Sequence, residues 1–136
     1  MARKSWPEKL ADPRLHEIKP APIDIAGMKA GELMLVPTAR MIDAFIRAIP
    51  TGKAMGVKEL RAALARRFRA QVCCPITTGF HLRTVAEAAY EAHLDGLGVE
   101  AITPFWRVID AGAPTARKLA CGIAFIVERR RAEGLA

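Results

Sequence analysis

Residues 38–68, TARMIDAFIRAIPTGKAMGVKELRAALARRF, contain the two segments that decide the predicted fold. Thr38 suits the N-cap of a first helix, because a threonine oxygen can accept a hydrogen bond from an N–H group of the first turn. Apolar residues then follow at helical spacing, at Met41, Ile42, Phe45, Ile46 and Ile49. Pro50-Thr51-Gly52 ends this helix and turns the chain. The spacing therefore predicts an amphipathic helix with one face in a core.

A second helix is predicted from Val57 to Phe68. Its apolar stripe consists of Val57, Leu60, Leu64 and Phe68, and its other side is basic. The chain has a net charge of +7, and between Lys53 and Arg69 it carries six bases against Glu59 alone. Clustered lysines and arginines favour contact with a phosphate backbone. A solvated helix face has the same pattern, so charge alone leaves both interpretations open.

Two more helices are predicted downstream. The third runs roughly from Gly79 to His93, with Thr77 or Thr78 as its cap and Asp95-Gly96 at its end. The last begins near Thr115 and ends at Glu133-Gly134. Its inward residues are predicted to be Leu119, Ile123, Ile126 and Val127. Residues 102–110 between these helices are rich in β-formers, which predicts an extended segment or a tight turn.

The N-terminal residues 1–36 contain several prolines and show little periodicity, so they are predicted to form an extended arm. Residues 37–136 then form the domain. The predicted fold is mainly α: a compact, winged-helix-like bundle of about four helices with little strand, preceded by the arm. A chain of 136 residues suits one hydrophobic core.

Composition excludes several classes of protein. No apolar run approaches the ~20 residues of a membrane span, and the N-terminus lacks the features of a secretory signal, so a cytoplasmic protein is expected. Three cysteines, of which Cys73 and Cys74 are adjacent, do not resemble a disulfide framework. The spacing of Cys and His residues predicts no metal site, and no cofactor is expected.

Three short motifs occur in an order that is known from one family. Ile49-Pro50-Thr51-Gly52-Lys53 precedes the second helix, Pro104-Phe105-Trp106-Arg107-Val108 follows the third, and Glu133-Gly134 closes the last. The chain from Pro37 to Leu135 resembles the DNA-binding domain of alkylguanine-DNA alkyltransferases. That family opens on I/V-P-x-G-x, carries its active site in P-C-H-R-V, and ends its last helix in E-G.

The family's nucleophile is missing. Alkyl transfer needs a cysteine thiolate with an adjacent histidine, and Phe105 and Trp106 stand at those positions. The resemblance therefore implies the alkyltransferase-like branch, which lacks the cysteine, and no catalytic residue and no enzyme activity are predicted. Phe105, Trp106 and Tyr90 are candidates for a base or ligand pocket, in which an aromatic ring could stack on a flipped base. Filling of the core by Phe105 and Trp106 is the competing interpretation.

The resemblance also implies a DNA surface. Arg83-Thr84-Val85 fits the R-A-V pattern of the family's recognition helix, whereas the interval up to Pro104 is longer and Val57 replaces the family's tyrosine. The candidate DNA-binding residues are Lys58, Arg61, Arg66, Arg67, Arg69, Thr77, Thr78, Arg83 and Arg107. An ordinary helix cap at Thr77 and Thr78, and a solvent-exposed charge at Arg83, remain as alternatives.

The predicted function is that of a non-catalytic protein that binds double-stranded DNA. Recognition of damaged or alkylated bases and contact with repair proteins are further implications of the resemblance. One alternative is a small-ligand binder or cysteine-dependent enzyme with a pocket near Cys73, Cys74 and Trp106. Another is a protein-interaction module that has lost DNA binding. The identity of the lesion, the DNA sequence preference, the oligomeric state and the role of Cys121 are left open by the sequence.

Overall fold

The computed structural model describes residues 4–135, and within this range the chain forms five α-helices and three short strands. The helices are α1 (Trp6–Leu10), α2 (Ala39–Arg47), α3 (Val57–Arg67), α4 (Pro75–Leu94) and α5 (Gly122–Ala132). The strands are β1 (Glu17–Pro20), β2 (Leu33–Val36) and β3 (Val72–Cys73). The prediction of a mainly helical chain with little strand is confirmed. None of these helices combines the length and the apolar character that crossing a membrane requires.

Helices α2 and α3 form as their spacing predicts. The Thr38 side chain accepts a hydrogen bond from the Met41 N–H at 3.2 Å, which caps α2. Ile42 and Ile46 on α2, and Leu60 and Leu64 on α3, are buried in one hydrophobic core. The apolar stripes that the sequence shows are therefore the faces that the fold buries.

Helix α4 begins at Pro75, four residues before its predicted start. Cys74 is the N-cap, and its sulfur accepts from the Thr77 N–H at 3.5 Å. The prediction that Thr77 or Thr78 caps this helix is therefore wrong. Proline is pre-organised for the first position of a helix, where its missing N–H costs nothing, so Pro75 extends α4 upstream.

The start and the inward face of α5 also differ from the prediction. Residues Pro114–Lys118 form a 3₁₀ turn, and α5 begins only at Gly122, whose φ is +78°. Leu119 and Ile126 are buried as predicted, but Ile123 and Val127 are exposed. The left-handed residue separates the turn from the helix, so residues on its two sides do not share one helical phase.

The N-terminal segment is part of the domain. The prediction of an extended arm is wrong for Trp6–Leu10, which form a helix capped by Ser5, and residues 1–3 of the arm lie outside the described residues. Strand β2 is the middle strand of the sheet: it pairs antiparallel with β1 and parallel with β3, with Met34 opposite Val72. Leu35 of β2 is completely buried in the core. The helices and the N-terminal strands thus share one interior.

The loop between α4 and α5 enters this interior. Phe105–Arg107 form a 3₁₀ turn, as the prediction of a tight turn allows, and not an extended segment. This turn directs the side chains of Phe105 and Trp106 into the core, where they are 0% and 1% exposed. It also leaves Arg107 beside the end of α5.

Candidate nucleic-acid interface

The carboxylate of Glu133 joins three segments that are far apart in the sequence. It accepts hydrogen bonds from the Trp106 indole N–H at 2.6 Å, from the Arg107 Nε at 2.8 Å and from the Gly52 N–H at 3.1 Å. Arg107 also donates to the Ile49 carbonyl at 2.7 Å and to the Thr51 hydroxyl at 3.0 Å. The three motifs that carry the family resemblance therefore meet at one side chain.

These contacts decide the charge of Glu133. Burial raises the pKa of this carboxyl, but the hydrogen bonds from Arg107, Trp106 and Gly52 together outweigh burial and lower the pKa to about 2. Glu133 is therefore anionic at neutral pH and compensates the charge of Arg107. The Arg107 side chain is only 12% exposed. This geometry disfavours Arg107 as a phosphate contact, because its Nε, Nη1 and Nη2 atoms all donate to partners inside the protein.

The predicted base pocket is filled by the protein itself. The Phe105 ring meets Trp106 edge-on, with centroids 5.3 Å apart, and lies nearly parallel to the Phe125 ring at 6.0 Å. Tyr90 packs edge-on against Phe125 at 5.2 Å. Phe105 and Trp106 are fully buried, so a flipped base could not stack on them without opening the core. For Phe105 and Trp106 the core interpretation holds, and the pocket prediction is corrected. Tyr90 is half-buried.

The predicted DNA-binding residues fall into two groups, and the first group is exposed. Lys58, Arg66 and Arg67 on α3, and Arg69 just beyond its end, are all exposed. Among residues 4–135 none of the four forms an ion pair with a carboxylate. The Arg67 guanidinium lies 5.2 Å from the centre of the Phe45 ring, a cation–π contact. These four residues are called the α3 cations below.

Arg69 has an unusual backbone conformation for its type. Helix α3 ends with the Ala70 N–H bonded back to the Ala65 carbonyl at 2.8 Å, which is the Schellman arrangement. Helices α4 and α5 end in the same way, and there the left-handed position is occupied by Gly96 and Gly134. In α3 it is occupied by Arg69, with φ of +58°. Arg69 therefore occupies a left-handed position at which glycine is favoured.

The second group has partners within the fold. Arg61 donates two hydrogen bonds to the Cys73 carbonyl, at 3.0 and 3.1 Å. Thr78 is completely buried and its hydroxyl donates to the Cys74 carbonyl at 2.7 Å, so its prediction as a DNA contact is wrong. Thr77 is half-buried and donates to the Cys74 sulfur. These residues hold α3, β3 and the start of α4 together.

Arg83 is held by three neighbours. Its Nε lies 3.6 Å from a carboxylate oxygen of Glu87, and its guanidinium lies over the Trp6 ring at 5.3 Å. A third contact joins Nη2 to the Lys118 carbonyl at 3.5 Å. The alternative of a simple solvent-exposed charge does not describe Arg83, since its charge is compensated and its side chain packs on α1.

The cysteines are not arranged as nucleophiles. Burial raises the pKa of the Cys73 thiol, and burial followed by the nearby Glu87 raises the pKa of Cys121 to about 11. Cys74 serves as the cap of α4. The described part of the chain brings no three histidine, cysteine or acidic side chains together in a way that could hold a metal ion.

No family model, curated protein or solved structure matches this chain. The functional assignment therefore rests on the residues themselves.

The sequence motif identified Glu133 but did not reveal its hydrogen bond with Gly52. It also missed the contact of Arg129 with Trp106, whose ring lies 5.3 Å from the guanidinium. No local pattern signals such contacts, since they join residues from different elements.

Proposed function

We propose that the chain is a non-catalytic protein that binds the phosphate backbone of double-stranded DNA through the α3 cations. One observation carries the proposal: these cations are exposed and have no carboxylate partner among residues 4–135, whereas Arg47, Arg83 and Arg107 each lie within 4 Å of an acid. Neighbouring cations repel one another. When they neutralise DNA phosphates, the counterions bound to the DNA are released, and this release favours binding. Arg69 strengthens the proposal because it keeps a basic side chain in a strained position.

The family relation is proposed on separate grounds. The carboxylate of Glu133 contacts residues from all three motifs of the alkyltransferase resemblance. A buried indole N–H at Trp106 donates to the glutamate from the position that the resemblance assigns to histidine. Phe105 occupies the nucleophile's position and is part of the core. This arrangement supports a relative of the alkyltransferases that retains the scaffold and performs no alkyl transfer.

The proposal is confined to binding of the DNA backbone. Stacking of a damaged base on Phe105 or Trp106 is not included, since both rings are fully buried. Contact with repair proteins and a cytoplasmic location stay predictions from the sequence. The cysteine-dependent alternative is disfavoured because the raised pKa values of Cys73 and Cys121 keep both groups as thiols, and the thiolate is the reactive form.

The test compares two double variants that lose the same charge. Arg66→Gln/Arg67→Gln removes two α3 cations, and Lys19→Gln/Lys29→Gln removes two lysines that have acidic partners. Binding to a fluorescent duplex is measured by anisotropy over a range of salt concentrations. For the first double variant we expect weaker binding and a salt slope that is smaller by about 1.8, at about 0.9 per lost phosphate contact. The second double variant should retain the wild-type slope.

Two results would contradict the proposal. If the wild-type protein does not bind duplex DNA at low salt, the proposed function is wrong. If the two double variants lose affinity equally, the binding depends on net charge alone and the α3 cations are not its surface.

A further inference from the structure

A cavity of about 300 Å³ lies beside the Glu133 network, on the side of Trp106. Its polar border is formed by Arg47, Thr51, Glu100, Arg107, Arg129 and Glu133. The volume is at the lower end of the range for small-molecule sites. Since three arginines border a space of this size, the charge of each decides which ligand the cavity suits.

Two of the three arginines are already compensated. Arg107 forms its ion pair with Glu133 at 2.8 Å, and Arg47 pairs with Asp43 at 3.2 Å. Glu133 accepts from three different residues, so it has little capacity left for a cationic ligand. Arg129 is the remaining cation, and the exposed Glu100 is the remaining anion.

Arg129 has neither an ion-pair partner nor an acceptor for its Nε in the described part of the chain. Its guanidinium lies over the Trp106 ring, and among residues 4–135 it has no ion-pair partner. Its Nε is buried and no acceptor in the described part of the chain reaches it. A guanidinium that borders a cavity and has no ion-pair partner would be stabilised by an acceptor from a ligand.

We propose that this cavity binds a small oxyanion, a phosphate or carboxylate group, on the guanidinium of Arg129. Arg47 is half-exposed at the border of the cavity, and because it pairs with Asp43 it adds only a partly compensated positive charge. The Thr51 hydroxyl accepts from Arg107, so its own hydrogen is free to donate. The negative charge of Glu100 opposes the ligand and limits its affinity. This site does not depend on the proposed DNA binding, because it uses none of the α3 cations.

The indole N–H of Trp106 gives a direct readout. The chain has two tryptophans, so a Trp6→Phe variant assigns the two indole signals in an NMR spectrum of the ¹⁵N-labelled protein. Titration with inorganic phosphate, and separately with acetate, should shift the Trp106 signal in a saturable way. Arg129→Gln should weaken this binding by roughly tenfold or more, since it removes a charge-assisted contact. Glu100→Gln should strengthen it, because a like charge is removed.

Arg131→Gln is the matched control, since Arg131 is exposed on the same helix and does not border the cavity. It should leave the titration unchanged. A shift that does not saturate, or equal effects of Arg129→Gln and Arg131→Gln, would overturn the site. The other backbone signals of Arg129→Gln verify that this variant is folded.

A competition experiment with duplex DNA identifies the source of the oxyanion. If DNA displaces inorganic phosphate from wild-type protein, the site takes a backbone phosphate; if both bind together, it takes a separate small molecule. The Arg66→Gln/Arg67→Gln variant separates the two proposals. Phosphate binding that survives in this variant supports the cavity site even where DNA binding is lost.

Discussion

At Glu133, a pKa of about 2 against an ordinary value of 4.5 couples the ionisation of one residue to folding. A carboxyl whose pKa is lower in the folded than in the unfolded state stabilises the fold above its unfolded pKa. That contribution is present in full above about pH 4.5 and is lost as the pH falls toward 2. Acid should therefore weaken the junction of the three motifs by protonating Glu133.

Glu133→Gln tests this coupling. We expect the free energy of unfolding at pH 7 to fall by about 3 kcal/mol, the lower end for breaking a buried ion pair, because a cavity borders the carboxylate. We also expect a shallower loss of stability between pH 4.5 and 2 than in the wild type. Chemical denaturation at several pH values measures both effects. Glu128→Gln, an exposed change on the same helix, is the control. Identical pH profiles for Glu133→Gln and wild type would refute the coupling.

Phe105 provides a second test at the residue scale. If its ring is core material, Phe105→Ala should lower the free energy of unfolding by about 3–5 kcal/mol. Phe105→Leu, a milder change, should keep the protein folded and leave its affinity for undamaged and alkylated duplexes unchanged. A selective loss of affinity for the alkylated duplex in Phe105→Leu would restore the base pocket as the better interpretation.

Among the elements, the end of α3 is where the proposed DNA contact of Arg69 conflicts with stability. The left-handed conformation of Arg69 costs an L-residue about 1–2 kcal/mol, and glycine avoids this cost although it loses more entropy on folding. Arg69→Gly should therefore raise the free energy of unfolding by about 0.5–1 kcal/mol while it weakens DNA binding.

Thermal unfolding and the duplex titration measure these two effects on the same sample. Gly96→Ala, at the equivalent position of α4, is the reverse change and should lower stability by about 1 kcal/mol. If Arg69→Gly leaves DNA affinity unchanged, Arg69 does not belong to the DNA surface.

The helices also show which parts of the fold the sequence predicts. Helices α2 and α3 were predicted well because apolar spacing and the cap at Thr38 are local signals. The start of α4 was missed because sulfur is a weak acceptor and Cys74 is rarely considered a cap. The start of α5 was missed because the effect of Gly122 depends on its φ, which the sequence does not specify.

The candidate site was predictable in part for the same reason. The basic character of α3 is a local property, so Lys58, Arg66, Arg67 and Arg69 could be identified from the sequence. Which arginines are compensated could not be predicted, because Arg107 pairs with Glu133 at the C-cap of α5 and Arg83 contacts Trp6 on α1. Spacing does not reveal a partner that only the tertiary fold brings close.

At the scale of the whole molecule, the N-terminal residues determine whether residues 37–136 can fold independently. Strand β2 lies between β1 and β3, and α1 packs against α4, partly through Trp6 and Arg83. A chain that begins at Pro37 would lose α1, β1 and β2 and expose the core that Leu35 covers. We expect this truncation to lose cooperative thermal unfolding as followed by near-ultraviolet circular dichroism. A sharp transition in the truncated chain would show that residues 37–136 fold independently.

The parallel pairing of β2 with β3 has a kinetic consequence. Met34 and Val72 are neighbours in the sheet, but α2 and α3 lie between them in the sequence. The two strands can pair only after this intervening chain has folded back. Closing such a loop costs entropy before its contacts stabilise the chain, and non-local pairing slows folding. The protein should therefore fold more slowly than a helical bundle of similar size.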